Sequence, residues 1–361
     1  MSDAVQHARP NDVKDDIELK PFLGDLEAGH DVKGFNSGKG AGAIRNTKGR
    51  WLCYVERLDE RFNFKHSTVL LHPYISFVIR LMLVSTFLDD SFRTAFRFSD
   101  QVKEVAELGL VKNAAFATIA LLVGLGAQWV GSLCLLRLSW TDGATKALIC
   151  WAILQPTLYG QLSNFELVSE TLSLIGGLLM LRAHVVDRVA TRTQLAGRLL
   201  LPAMYVYYAG KFLISAITLD ETTGVGMYIA SLSMFVVNTL VFMGIVVGSV
   251  LVAVGLRSRI IALLLAFTNL GFVFYRHPYF RYAWREDGQW KYDADMPMPD
   301  VSLPKDISPV DLDLEQIYGL HRYYFFLGLS NSGALLLLAQ YGPGEIALQK
   351  DETILPTRAQ D

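Results

Sequence analysis

Apolar segments near residues 73–90, 113–137, 144–162, 166–183, 197–219, 228–256, 258–276 and 319–341 dominate this chain from residue 73 onward. Most approach the roughly 20 residues that an α-helix needs to cross the hydrocarbon layer of a bilayer. Their succession predicts an all-α fold, a polytopic transmembrane helical bundle of about eight spans. Glu170 interrupts the fourth segment, so seven spans is the alternative. Composition fits: of 361 residues 52% are hydrophobic and 19% charged, where a soluble domain carries about 25% charged residues.

The other segments have distinct characters. Residues 1–50 are rich in Gly, Asp and Lys and read as a disordered cytosolic tail without a cleavable signal pattern. Residues 51–72 read as an interfacial amphipathic helix, with Trp51, Leu52, Val55, Leu58 and Phe62 recurring among charged residues. The transmembrane domain is expected over 73–342 and a cytosolic C-terminal tail over 343–361. Basic residues gather in the even-numbered connections (Arg137, Lys146, Arg182, Arg188, Arg192, Arg257), which puts both termini in the cytosol by the positive-inside rule. The long connection 276–318 contains five prolines and several aromatics. Prolines oppose a long helix there and aromatics oppose disorder, so an ordered lumenal cap is expected.

Internal likeness sets the next constraint. LSLIGGLLML (Leu172–Leu181) matches LSNSGALLLL (Leu329–Leu338), Gly131-Ser132 matches Gly248-Ser249, and Arg80 matches Arg198. Two parallel four-helix repeats, 73–186 and 197–342, follow, since an even number of spans per unit restores orientation.

Charge inside an apolar run is costly, about 2.5–3.5 kcal/mol for an arginine at a helix centre on the lenient scales. Arg80 and Arg198 lie on early turns, from which snorkelling to the cytosolic surface is expected, more readily for Arg198. At the other end of the first span, Asp89 and Asp90 precede Arg93 by four and three residues and share its helix face. With Phe92 they form a candidate lumenal mouth for a bound ligand; a hydrated helix end is the plainer reading. Glu170, Lys211 and Asn331 are candidate interior polar groups. Asn238, Asn269 and Gly244-x-x-x-Gly248 read as helix-packing features.

No metal site, cofactor motif or enzyme signature stands out: the seven histidines are scattered and no H-E-x-x-H, P-loop or G-x-S-x-G occurs. A non-enzymatic protein is expected. Net charge of −2 without a basic stripe argues against nucleic acid. Cys53, Cys134 and Cys150 show no zinc spacing and read as small packing residues.

The stretches PYISFVIRLMLVSTFLDDSFRTAFRFSDQ, SLIGGLLMLR, GRLLLPAMYVYYAGKFLIS and YYFFLGLSNSGALLLLAQYGPGEIALQKDE resemble the surfeit locus protein 4 family, and the four-span repeat is more distantly similar to DoxX-type bacterial membrane proteins. The resemblance implies an endoplasmic reticulum cargo receptor that cycles to the Golgi. Such a receptor gathers soluble secretory cargo on its lumenal side, often through short hydrophobic signals near the cargo N-terminus, and engages the COPII coat on its cytosolic side. The chain departs from the family pattern in ending LPTRAQD rather than in a dilysine signal, and in the length of its 276–318 connection. A small-solute or lipid transporter using the Glu170/Lys211 region, or a DoxX-like redox accessory protein, are the other readings.

Overall fold

A computed structural model describes residues 72–108, 112–186, 191–217, 225–286, 289–299, 312–344 and 346–348. The expected tail at 1–50, nearly all of the interfacial helix at 51–72 and most of the C-terminal tail lie outside the described residues. What is described is mostly helical.

The first half contains α1 (Pro73–Phe96), α2 (Phe98–Leu108), α3 (Ala114–Arg137), α4 (Thr141–Leu158) and α5 (Phe165–Val185). The second contains α6 (Thr191–Leu200), α7 (Ala203–Ile217), α8 (Val225–Val254), α9 (Ser258–Arg276) and α10 (Leu314–Tyr341). Local chemistry sets several boundaries. Pro73 opens α1, where its missing N–H costs nothing. The Asn113 and Asn164 side chains cap α3 and α5, and Asp313 with Gln316 forms a capping box on α10.

Two boundaries correct the sequence expectation. The segment 197–219 is not one helix: α6 stops at Leu200 and α7 begins at Ala203, with Pro202 at the break. The stretch after Phe96, expected only as a connection, folds into the amphipathic α2. Within the long connection, a 3₁₀ turn (Tyr279–Arg281) leads into an antiparallel hairpin of β1 (Ala283–Glu286) and β2 (Gln289–Tyr292), pairing Ala283 with Tyr292.

In the first half α1 packs on α3, α3 on α4 and α4 on α5; in the second α7 packs on α8, α8 on α9 and α9 on α10. The halves join through α5 and α10, with α10 also against α1 and α5 also against α6 and α7. Corresponding residues make corresponding contacts. A Cβ on Gly333 would lie 2.6 Å from Leu83 N, and one on Gly176 would lie 2.8 Å from Leu201 N. Ser330 Oγ accepts from Thr86 N and Ser173 Oγ accepts from Met204 N, both at 3.0 Å. Gly131 faces Leu148 as Gly248 faces Leu265. The turns agree as well: Leu138 and Trp140 after α3, and Gly255 and Arg257 after α8, all take positive φ.

Along the α5–α10 seam, a Cβ on Gly177 would overlap the Ala334 methyl, and the His184 and Tyr341 rings stack at 3.4 Å. Both contacts pair matching positions, so the two helices run parallel and in register.

Burial is inverted relative to a water-soluble protein. Ile119 and Val123 on α3 are 63% and 66% exposed, and Leu240, Leu264 and Phe267 also face outward. Gln128, Glu166, Glu170, Asn269, His321 and Asn331 are buried. Among the described residues, Ala114–Arg137 and Ser258–Arg281 are long and apolar enough to cross a membrane by length and composition. Other long helices carry ionisable residues that are buried, among them Asp89 and Asp90 on α1, Glu166 and Glu170 on α5 and His321 on α10, which lowers their average apolarity.

Arg198 also differs from expectation. It does not extend toward the surface: its guanidinium is buried and donates to the carbonyls of Ala253 (2.9 Å), Pro343 (2.8 Å) and Ile346 (2.5 Å). Pro343 belongs to the Gly-Pro-Gly turn after α10, so Arg198 ties the segment that follows α10 to the end of α8.

Candidate functional site

At the end of the bundle where α1 finishes and α5 and α10 begin, a cleft of about 380 Å³ opens between α1, α2, α4, α5 and α10. Its inner walls are apolar, formed by Phe87, Ala152, Leu167, Leu174, Leu320 and Leu327. Its mouth is polar and carries both charges, with Arg93, Arg97, Asp100, Glu104 and Glu315 around the amides of Gln101 and Gln155. Apolar depth with a few placed polar groups is the usual form of a ligand pocket.

Arg93 is positioned from below. Asp90, 4% exposed, accepts from Gln128 Nε2 (2.6 Å), Gln155 Nε2 (3.0 Å) and Arg93 (3.3 Å). Donors from α3 and α4 together with the guanidinium meet the requirement that a buried charge be paired and hydrogen-bonded. The Arg93 guanidinium lies 6.0 Å from the centre of the Tyr323 ring, a cation–π arrangement that aims it across the cleft.

On α2, Gln101 Nε2 donates to Glu104 (3.0 Å) and Tyr159 donates to Gln101 Oε1 (2.5 Å). Burial pushes the Glu104 carboxyl above the usual carboxylate range, an effect opposed by the nearby Arg93. Arg97 pairs with Glu315 across the mouth, and the Tyr292 hydroxyl from the hairpin donates to the same carboxylate at 3.4 Å.

The expected mouth of Asp89, Asp90, Phe92 and Arg93 is therefore divided. Arg93 lines the cleft and Asp90 braces it. Asp89 pairs instead with Arg322 of α10 through two bonds of 2.8 and 2.6 Å. Phe92 points away from the cleft and sets its ring edge-on to Trp129 at 4.7 Å. Glu104, Gln101, Tyr159 and Tyr323 were not anticipated. For Gln101 and Glu104 the sequence signal is amphipathic periodicity after Phe96, which marks a helix without saying what it covers; Tyr159 and Tyr323 lie on other elements and carry no such signal.

Of the interior polar candidates, the structure joins Glu170 and Lys211 through two further residues. Tyr208 lies 2.5 Å from Glu170 Oε1 and 3.2 Å from Glu166 Oε1, and Lys211 lies 3.7 Å from Glu166 Oε2. Asn331 sits on α10 in the seam with α5, buried.

Fold and cleft together define a protein class: a helical bundle of two similarly built halves, apolar outside and polar within, with a ligand-sized recess at one end. The chain belongs to the SURF4 family, whose sequence pattern matches residues 53–293. It is 26% identical over 299 residues to the ER-derived vesicles protein ERV29 of Saccharomyces cerevisiae, an alignment covering 79% of each chain. It is 25% identical over 283 residues to the Surfeit locus protein 4 homolog of Drosophila melanogaster, covering 76% of this chain and 88% of that one. The homolog of Schizosaccharomyces pombe is 22% identical over 300 residues, 78% of this chain and 83% of its own. No solved structure matches.

Proposed function

We propose that this protein is a non-enzymatic, multi-pass membrane receptor that binds soluble secretory polypeptides and loads them into COPII vesicles leaving the endoplasmic reticulum. On this reading it cycles to the Golgi with both termini cytosolic, and the cleft end of the bundle faces the lumen. Family membership supports the vesicle role, and the inverted burial supports residence in lipid. The observation that carries the binding role is the cleft itself, polar and doubly charged at its mouth and apolar in its depth.

Those walls suit the first residues of a mature polypeptide. A free α-ammonium meets Glu104 and Asp100, backbone amides meet Gln101 and Gln155, and one or two apolar side chains fill the space between Leu167, Leu320 and Leu327. Arg93 opposes a second cation and takes a backbone carbonyl.

The test uses purified full-length receptor in lipid nanodiscs with fluorescent peptides that start in apolar residues. Free amino termini are expected to bind, N-acetylated ones to bind at least about tenfold more weakly, a loss of roughly 1.4 kcal/mol for one charge-assisted contact. Leu320→Trp, which fills the cleft, is expected to abolish binding and to slow export of particular soluble proteins in cells. Normal binding and export by Leu320→Trp would place cargo elsewhere. Ion or solute flux in reconstituted vesicles without peptide binding would instead favour a transporter.

A further inference from the structure

Behind the cleft, the α5–α10 seam encloses polar groups that cargo binding does not use. Glu170 is 5% exposed, and its Oε2 has no hydrogen-bond partner among the described residues. Asn331 is 1% exposed, and neither its Oδ1 nor its Nδ2 has one. Glu170 precedes Gly177 by two helical turns and Asn331 precedes Ala334 by about one. Since Gly177 and Ala334 touch, the two polar side chains lie on one seam roughly 5–6 Å apart along its axis.

Buried polar atoms are nearly always satisfied, so orphans from two different helices in one seam mark a place where something binds. The matching positions of the two halves supply the comparison. In the second half the position of Glu170 is held by Leu327, and in the first half that of Asn331 is held by Leu174, both ordinary apolar cleft wall. Neither polar residue has a polar counterpart.

Glu170 also has a route to the surface. Its Oε1 accepts from Tyr208, the same hydroxyl lies 3.2 Å from Glu166, and Glu166 meets Lys211, whose side chain is 37% exposed. Among the described residues, the ionisable neighbours on each packed element are few. α5 itself contributes Glu166, α7 contributes Tyr208 and Lys211, and α10 contributes Tyr323 and Tyr324, which both feel the Glu170 charge. Behind Tyr323, α1 holds the Asp90–Arg93 pair. Tyr159 follows α4 on the cleft wall, and Arg198 of α6 lies at the far end of the bundle.

We propose that Glu170 is a proton-binding site, loaded through the chain Lys211–Glu166–Tyr208. In the transfer, protonated Glu166 gives its proton to the Tyr208 oxygen while the Tyr208 hydroxyl proton passes to Glu170 Oε1. Glu166 loses one proton, Glu170 gains one and Tyr208 is unchanged. The neutral carboxyl removes an uncompensated negative charge from the apolar seam. The ligand is the proton itself, and the site stands whatever occupies the cleft.

Infrared difference spectroscopy on the full chain in nanodiscs, stepped from alkaline to acid pH, tests this. A protonated-carboxyl band is expected in the native protein, and one component of it is expected to be missing in Glu170→Gln, read from the native-minus-variant difference. Glu170→Leu, which installs the residue found at the equivalent Leu327, is the second variant should the first misfold. In Lys211→Met the band is expected to reach full height with uptake slowed about a hundredfold, the size of a lost proton-transfer partner. A band unchanged in both Glu170 variants would overturn the site, and unchanged uptake in Lys211→Met would overturn the route.

Discussion

Glu104 shows how much one side chain can determine at the cleft. Its carboxyl is held above the usual range by burial, so it takes a proton earlier on acidification than an exposed glutamate does. A cationic ligand group needs the ionised form. Peptide affinity is therefore expected to be full at neutral pH and to fall as pH drops through the raised value, before ordinary carboxylates titrate. Glu104→Gln is expected to bind weakly with that pH dependence gone, read from peptide titrations across pH. Arg198 makes the complementary point about stability. Arg198→Met leaves three carbonyls without their buried donor and is expected to lower stability by about 3 kcal/mol, measured as earlier thermal unfolding in detergent with faster proteolysis after Tyr341. Part of this was legible in the sequence. The spacing of Asp90 and Arg93 identifies their pairing, because three residues is one helical turn. Gln128 and Gln155, which donate to Asp90, and Arg322, which pairs with Asp89, lie on other helices, and no local pattern carries that information. The burial of Arg198 is not legible in the sequence, because its place in an apolar run says nothing about the Pro343–Ile346 segment folded over it.

At the scale of elements, backbone approach is the governing quantity. Gly176 and Gly333 stand where neighbouring main chain comes within 2.8 Å of a Cβ position, so no side chain can move aside to make room. Gly333→Ala is expected to destabilise by about 1–3 kcal/mol. Gly126→Ala, within α3 and with nothing inside 4 Å of its Cβ position, is expected to be neutral or to gain about 0.5–1 kcal/mol from helix propensity. Comparing thermal midpoints of the two variants checks the contrast; equal effects would refute the packing argument. The apolar runs marked the long helices well, since burial and lipid contact both select the same residue types. They did not show that α6 and α7 are separate, because Leu199–Leu201 before Pro202 and the Ala203–Tyr208 stretch after it keep the run apolar. Nor did they reveal α2, whose mixed charges resemble a loop until its apolar face meets α3.

For the whole molecule, the division into halves predicts that the covalent link between them is dispensable. Cut between Val186 and Thr191 and co-expressed, the two pieces are expected to reassociate through α5 with α10, α1 with α10 and α5 with α6 and α7. Co-purification through a tag on one piece, with peptide binding retained, is the measurement; separate aggregated pieces would count against the seam as the main junction. Membership in the SURF4 family was readable from the sequence because several long stretches carry it together. The cleft was not, since its walls come from five helices spread from Thr86 to Leu327.

The register of the α5–α10 seam has one more consequence. In a dimer of identical chains, a residue beside the twofold axis faces its own copy, so a glutamate there would face another glutamate and two buried like charges would repel. Here the partner of Glu170 is Leu327, the partner of His184 is Tyr341 and the partner of Gly177 is Ala334. Joining both copies in one polypeptide lets each side of the axis be chosen separately. An unmatched carboxyl such as that of Glu170 can then occupy the interior of the bundle, an arrangement closed to any symmetric assembly of half-length chains.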